Sequence, residues 1–133
     1  MPQHPVELIL LQQWASMMSV PIWITNDMGD LVYFNEPTEE LIGVRFDEAG
    51  EMPASMLADR FSMCDLDGSP LADHDRPLIM ALEKQQPAQR TVRIIDDAGR
   101  DKVVSDTALP IIGEGNRHLG AVVILWEAGD SHP

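Results

Sequence analysis

The chain has 133 residues, 44% of them apolar, and a formal net charge of −13; this describes one globular domain large enough to bury a core, whose negative field disfavours nucleic acid and anionic membrane surfaces as partners. Cys64 is the single cysteine, which excludes an internal disulfide and a cysteine-based structural zinc site. No Lys or Arg precedes Arg45, and no apolar run approaches the roughly 18 residues of a membrane span, so the expectation is a soluble, cytoplasmic chain without a secretory signal.

The first predicted element is an amphipathic helix over residues 6–20. Leu8, Leu11, Ala15 and Met18 share one face, and Leu10, Trp14 and Met17 a neighbouring one. Pro5 suits a first turn, and Val20 before Pro21 marks an end. The combined apolar arc is wider than the stripe of an ordinary surface helix. It either covers its own sheet or packs in part on a second subunit; Leu10, Trp14 and Met17 are the candidate contacts of a homodimer.

Two β-type runs follow, over 21–26 and 31–35. Ile22, Ile24, Val32, Tyr33 and Phe34 supply β-branched and aromatic bulk, and Asp27-Met28-Gly29-Asp30 is the hairpin linker, with glycine where positive φ is needed. Asn35 can cap a helix through its side-chain oxygen, Glu36, Glu39 and Glu40 suit that helix's first turns, and Gly43 can close it. The chain then turns irregular around Gly50, Pro53, Gly68 and Pro70, with a short helix expected over 54–59.

Asp73 or Asp75 offers a cap for a helix over 76–85, with Pro77 in its first turn, Pro87 beyond its end and Lys84 near its carbonyl terminus. Leu78, Ile79 and Leu82 are its expected buried stripe. Further strands are expected over 89–96, 102–112 and 118–127, separated by turns at Asp97-Ala98-Gly99 and Gly113-Glu114-Gly115-Asn116. The run AVVILW at 121–126 shows no alternation, so both faces of the last strand should be covered. A single antiparallel sheet then carries the middle helices on one face, and the N-terminal helix is the obvious cover for the other.

Taken together, the run from Ile22 to Gly43, the segment DLDGSPLADHDRPLIMALEKQQP, the pair of strands in RTVRIIDDAGRDKVVSDTALPI and the closing HLGAVVILWEA resemble a PAS domain in order and spacing from about residue 20 to 128. The resemblance implies an α+β fold, a five-stranded antiparallel sheet whose first and last strands pair at its centre. Residues 1–20 form the N-terminal helix, 21–128 the PAS-like domain and 129–133 a tail. It implies a non-catalytic sensory module of signal transduction that binds a small molecule between the sheet and the central helix and signals through a dimer, to an effector domain or a partner signalling protein. A ligand-free dimerisation adaptor is the alternative. A ligand pocket is mostly apolar with a few polar groups, so the candidate lining is Tyr33, His74, Ile79, Leu82, Ile94, Val104 and Ile124. No cofactor is expected, with one alternative. In haem-binding PAS proteins an imidazole on the central helix holds iron, and His74 lies near that helix's start, which would make a haem-based gas or redox sensor. Cys64, in FSMCDLDG, does not match the NCRFLQ-like helix of the flavin-binding LOV branch and reads as a small hydrophobe.

Nothing in the sequence places a catalytic or metal motif. Gly113-x-Gly115 has His118 where a dinucleotide fingerprint needs glycine. Asp65–Ser69 starts like a calcium loop, but Pro70 and Arg76 stand at the positions of its glycine and terminal acid. Asp73-His74-Asp75 diverge on a helix start.

Overall fold

The computed structural model describes residues 5–53, 56, 62–96 and 98–127. The hairpin forms from β1 (Ile22–Asn26) and β2 (Asp30–Phe34). Gly29 takes φ of +83° in its turn, and the Asn26 side-chain oxygen accepts from the Met28 and Asp30 amides at 2.9 and 3.0 Å. Asn35 then caps α2 (Glu36–Ile42), which closes on Gly43 in the left-handed region, as expected for an Asn start and a Gly stop. After α2 come α3 (Phe46–Ala49), β3 (Met52–Pro53) and β4 (Ser62–Cys64). The helix expected over 54–59 falls, Met56 apart, outside the described residues, as does the 129–133 tail. A 3-10 turn (Asp73–Asp75) leads into α4 (Pro77–Lys84), followed by β5 (Ala88–Ile95), β6 (Asp101–Ile112) and β7 (His118–Glu127).

The strands make one antiparallel sheet in the order β3-β2-β1-β7-β6-β5-β4, so β1 and β7 lie at its centre. The five expected strands are its long ones. The two extra ones, β3 on the β2 edge and β4 on the β5 edge, are two and three residues long, too short for a period of two to register in sequence. The Gln89 side chain bonds the Ser105 hydroxyl, and Arg93 pairs with Asp101 across β5 and β6. At the β5–β6 turn Asp96 accepts from the Arg100 amide at 2.8 Å and from its guanidinium at 2.7 Å. These bonds, the backbone one first, hold its carboxyl below the usual range despite some desolvation.

Each face of the sheet has its own core. The inner face, beneath α4, α3 and α2, buries Trp23, Leu31, Phe34, Val92, Ile94, Val104, Ala121, Val123 and Leu125. The outer face buries Ile22, Ile24, Val32, Val122 and Ile124 under α1 (Val6–Ala15), with Leu8 and Ala15 as its fully buried residues. The unalternating β7 is thus covered on both sides, and α1 covers the sheet of its own chain. That helix ends at Ala15, five residues short of the sequence expectation. The Asn35 amide group donates to the Ala15 and Val20 carbonyls at 3.0 and 2.9 Å, which satisfies carbonyls that the early end of the helix leaves without an intrahelical partner.

Two expectations for the central helix are corrected. Arg76, rather than Asp73 or Asp75, stands at its N-cap, with no side-chain cap bond. Its buried contacts are Pro77 and Ala81, with Leu78 and Leu82 partly buried against the inner core. Ile79 is half-buried and belongs to neither core. Ala81 carries no side chain beyond Cβ, so α4 approaches the sheet there more closely than a leucine would allow.

Candidate functional site

The inner face beneath α4 combines a buried apolar core with a few polar groups. Along β6, alternation turns Val104, Asp106 and Ala108 inward, because successive side chains point to opposite faces. Their partners on β5 are Val92, Arg90 and Ala88, and on β7 Glu127, Leu125 and Val123. Asp106 therefore sits directly across from Arg90 on one side and Leu125 on the other. From β1, Thr25 also turns inward, opposite Ala121, and its buried hydroxyl has no hydrogen-bond partner among the described residues.

Asp106 is the unusual member. It is 4% exposed, and its Oδ1 has no hydrogen-bond partner among the described residues. Burial raises its pKa to about 7, against the opposing pull of Arg76 at the α4 N-terminus, because an ion loses hydration that nothing here replaces. The Arg90 guanidinium is turned to acids nearer the surface. It pairs with Asp65 at 2.8 Å and lies 3.7 Å from Asp75, while its own buried Nε finds no partner among the described residues.

This carboxyl should write itself into the pH dependence of folding. Between its ordinary value of 3.8 and about 7, the native state keeps a proton that the unfolded chain has released. Its contribution to stability is therefore full at low pH, declines as pH rises through that window, and is lowest above pH 7. Asp96, with its pKa lowered, acts in the opposite sense, losing its contribution only as pH falls through the acid range. Urea denaturation of the wild type and Asp106→Asn across pH 5 to 8 isolates the first effect. The variant should lack the decline and gain about 1–2 kcal/mol at pH 8, less than the full ionisation penalty because a buried amide still needs partners. Equal stability of the two proteins at pH 8 would refute it.

The candidate residues from the sequence divide between the two faces. Ile94 and Val104 are buried on the inner face, and Leu82 packs against them from α4. Ile79 lies at the margin. Ile124 is buried with the outer core, and Tyr33 packs against that core, its ring 5.2 Å from that of Phe46. Burial first, then the Glu39 carboxylate, pushes the Tyr33 phenol up. The structure thus brings Leu82, Ile94 and Val104 together and puts Tyr33 and Ile124 with the opposite core, since a one-residue step along a strand changes the face. Asp106, Arg90 and Thr25 were missed. Asp106 stands between apolar Val104 and Ala108 in the period-two pattern, which is the signal that could have found it.

A haem held through His74 would need the imidazole turned beneath α4. Its side chain is 84% exposed, with Nε2 3.6 Å from Asp75 Oδ1, and this placement does not fit an axial ligand inside the fold. Cys64 lies on an edge strand, paired with Arg93. Among the described residues no cluster of three or more His, Cys, Asp or Glu could hold a metal, and no helix is long and apolar enough to cross a membrane. On the other side of the sheet, a cleft of about 450 Å³ opens between the start of α1 and the start of β7, lined by Leu8, Asp27, Arg117 and His118 among others. Two residues on α1 and one in the turn after it lie outside both cores, with Leu10 58%, Trp14 38% and Met17 78% exposed.

A profile of the PAS fold matches residues 10–126. No curated protein matches. Among solved structures, the LOV protein of Rhodobacter sphaeroides superposes with a TM-score of 0.69 at 14% identity, covering 96% of this chain and 70% of that one. The PAS domain of the fruit-fly ELK potassium channel gives 0.68 at 13%, covering 91% and 96%. The PAS domain of nitrogen regulation protein NR(II) from Vibrio parahaemolyticus gives 0.60 at 22%, covering 89% and 97%. At these identities the likeness is one of fold. The profile match spans both ends of the sheet and the helices laid across its inner face, so the chain belongs to the PAS family of sensory and interaction domains.

Proposed function

We propose that this chain is a non-catalytic sensory module that takes a small, mainly apolar molecule between α4 and the inner face of the sheet and signals through a homodimer built on α1. The observation that carries the ligand half is Asp106, a buried carboxyl on a mainly apolar inner face. An interior serving only as filling is more stable with an apolar residue there, so retaining an acid costs stability that ligand recognition would offset. Benzene, as a minimal apolar probe, tests the space by NMR. Amide shifts that move at Ala81, Val92, Val104 and Ala108 support an interior site; shifts confined to exposed residues, or none, overturn it.

The dimer half, and with it the reading of a ligand-free adaptor, rests on the exposed Leu10, Trp14 and Met17. A contiguous exposed apolar surface on a helix marks an interface more often than bare surface. Sedimentation velocity at high micromolar concentration should show a dimer for the wild type and a monomer for the Leu10→Glu, Met17→Glu double variant. The thermal midpoint should hardly move, because both side chains are exposed within the chain. A wild type that is monomeric throughout removes this half.

A further inference from the structure

Asp106 and Arg90 are direct cross-strand partners on β6 and β5, facing the same interior. Side chains so placed have Cβ atoms about 4.5–5.5 Å apart, near enough to meet. Each nonetheless presents one buried atom without a partner among the described residues, an acceptor at Asp106 Oδ1 and a donor at Arg90 Nε. The guanidinium does not turn to Asp106, because Asp65 holds one of its terminal nitrogens at 2.8 Å and Asp75 lies 3.7 Å from the other. Native interiors rarely leave one such group unmet, and here a donor and an acceptor that complement each other stand on adjacent strands.

Charge narrows what could meet both. An anion would meet the Asp106 carboxyl and the acids Asp65 and Asp75 beyond it. A cation would meet the guanidinium of Arg90 and that of Arg76, which faces Asp106 from the start of α4; β7 contributes only apolar Leu125 at this level. A neutral group offering a donor and an acceptor side by side satisfies both orphans without bringing a net charge out of water. The carboxamide has that form, and the neighbouring Val92, Val104 and Ala108 suit an apolar body attached to it.

We infer that Asp106 and Arg90 form the polar end of the interior site and select a neutral carboxamide on a small apolar body, its N–H donated to Asp106 Oδ1 and its C=O accepting from Arg90 Nε. This rests on the interior-site reading above. The test uses three probes followed by NMR titration: benzamide, N,N-dimethylbenzamide, which has lost the donor, and benzene. Benzamide should bind the wild type roughly tenfold tighter than its dimethyl analogue, the scale of one well-made buried hydrogen bond. That ratio should fall to about one in Asp106→Leu, which keeps the branched shape and removes the acceptor, while benzene binding persists. Arg90→Met should weaken both amides, since both carry the carbonyl, and leave the preference for benzamide in place. If benzene binds inside and benzamide shows no preference over its analogue, the inferred polar end is overturned while the interior site stands; the orphan pair then serves a trapped water. If benzene and both amides leave the interior shifts unmoved, both readings fall together.

Discussion

Gly120→Ala should be the most damaging single substitution in this chain. Gly120 lies on β7 where the central pair closes, opposite Asn26, with φ of +148°. A Cβ there would overlap the Thr25 carbonyl oxygen and stand 2.8 Å from its carbon and 2.9 Å from the Asn26 Cα. These are backbone atoms, so no rotamer change relieves the overlap and β1 must part from β7. The register along β6 and β7 also slips here, with Ile111 facing Gly120 and Ile112 facing His118; the extra residue is a bulge that bends the strand where the two backbones approach. The expected loss is at least about 4 kcal/mol, a large share of a small domain's stability. Gly115 is the comparison, because it has positive φ of +66° but open space around its Cβ position. Gly115→Ala should cost only about 1–2 kcal/mol of backbone strain. Urea denaturation of both checks the difference, and a cooperative Gly120→Ala transition within about 1 kcal/mol of the wild type would show that the strands do not meet as described.

Asn35→Ala should cost about 3–5 kcal/mol. The side chain is 1% exposed and ties three elements together. Its oxygen accepts from the Ile22 amide at 3.0 Å and the Thr38 amide at 3.3 Å, and receives the Thr38 hydroxyl at 2.9 Å. Its nitrogen donates to the Ala15 and Val20 carbonyls. One residue therefore caps α2, closes α1 and anchors the start of β1. Truncation leaves several buried backbone groups unpaired at once, each worth about 1–3 kcal/mol if water cannot reach it, so the loss exceeds the roughly 1 kcal/mol of an ordinary exposed cap. Asn35→Asp supplies a finer check. It retains the acceptor but turns a carboxylate toward two carbonyl oxygens, so it should be more stable at low pH, where a protonated carboxyl keeps one donor. A loss below about 1 kcal/mol for the alanine variant would mean that the three elements are held by other contacts.

Much of this architecture is legible in local chemistry. The hairpin, the Asn35 start and Gly43 stop of α2, and the five long strands follow from turn residues, capping and periodicity, all of which act within a few positions along the chain. The double coverage of β7 follows from its unbroken apolar run. The division of α1 into a buried face with Leu8 and Ala15 and an exposed one with Leu10 and Trp14 is likewise written in its 3.6-residue repeat.

Tertiary structure alone decided what meets what. Tyr33 and Ile94 are both apolar-faced strand residues in sequence, yet they lie with opposite cores, because the face a residue takes depends on the register of strands far away in the chain. His74 sits near the start of the central helix, but the turn before α4 points it to solvent. Ile79, placed in the buried stripe by spacing, yields to Ala81, since the contact line of an eight-residue helix is set by the angle at which it crosses the sheet. Arg90 and Asp106 are 16 positions apart and become neighbours only when β5 and β6 pair in the register that joins them. Their complementary unpaired atoms arise from that long-range pairing together with the pull of Asp65 and Asp75 on the guanidinium, and no pattern confined to one segment could have announced them.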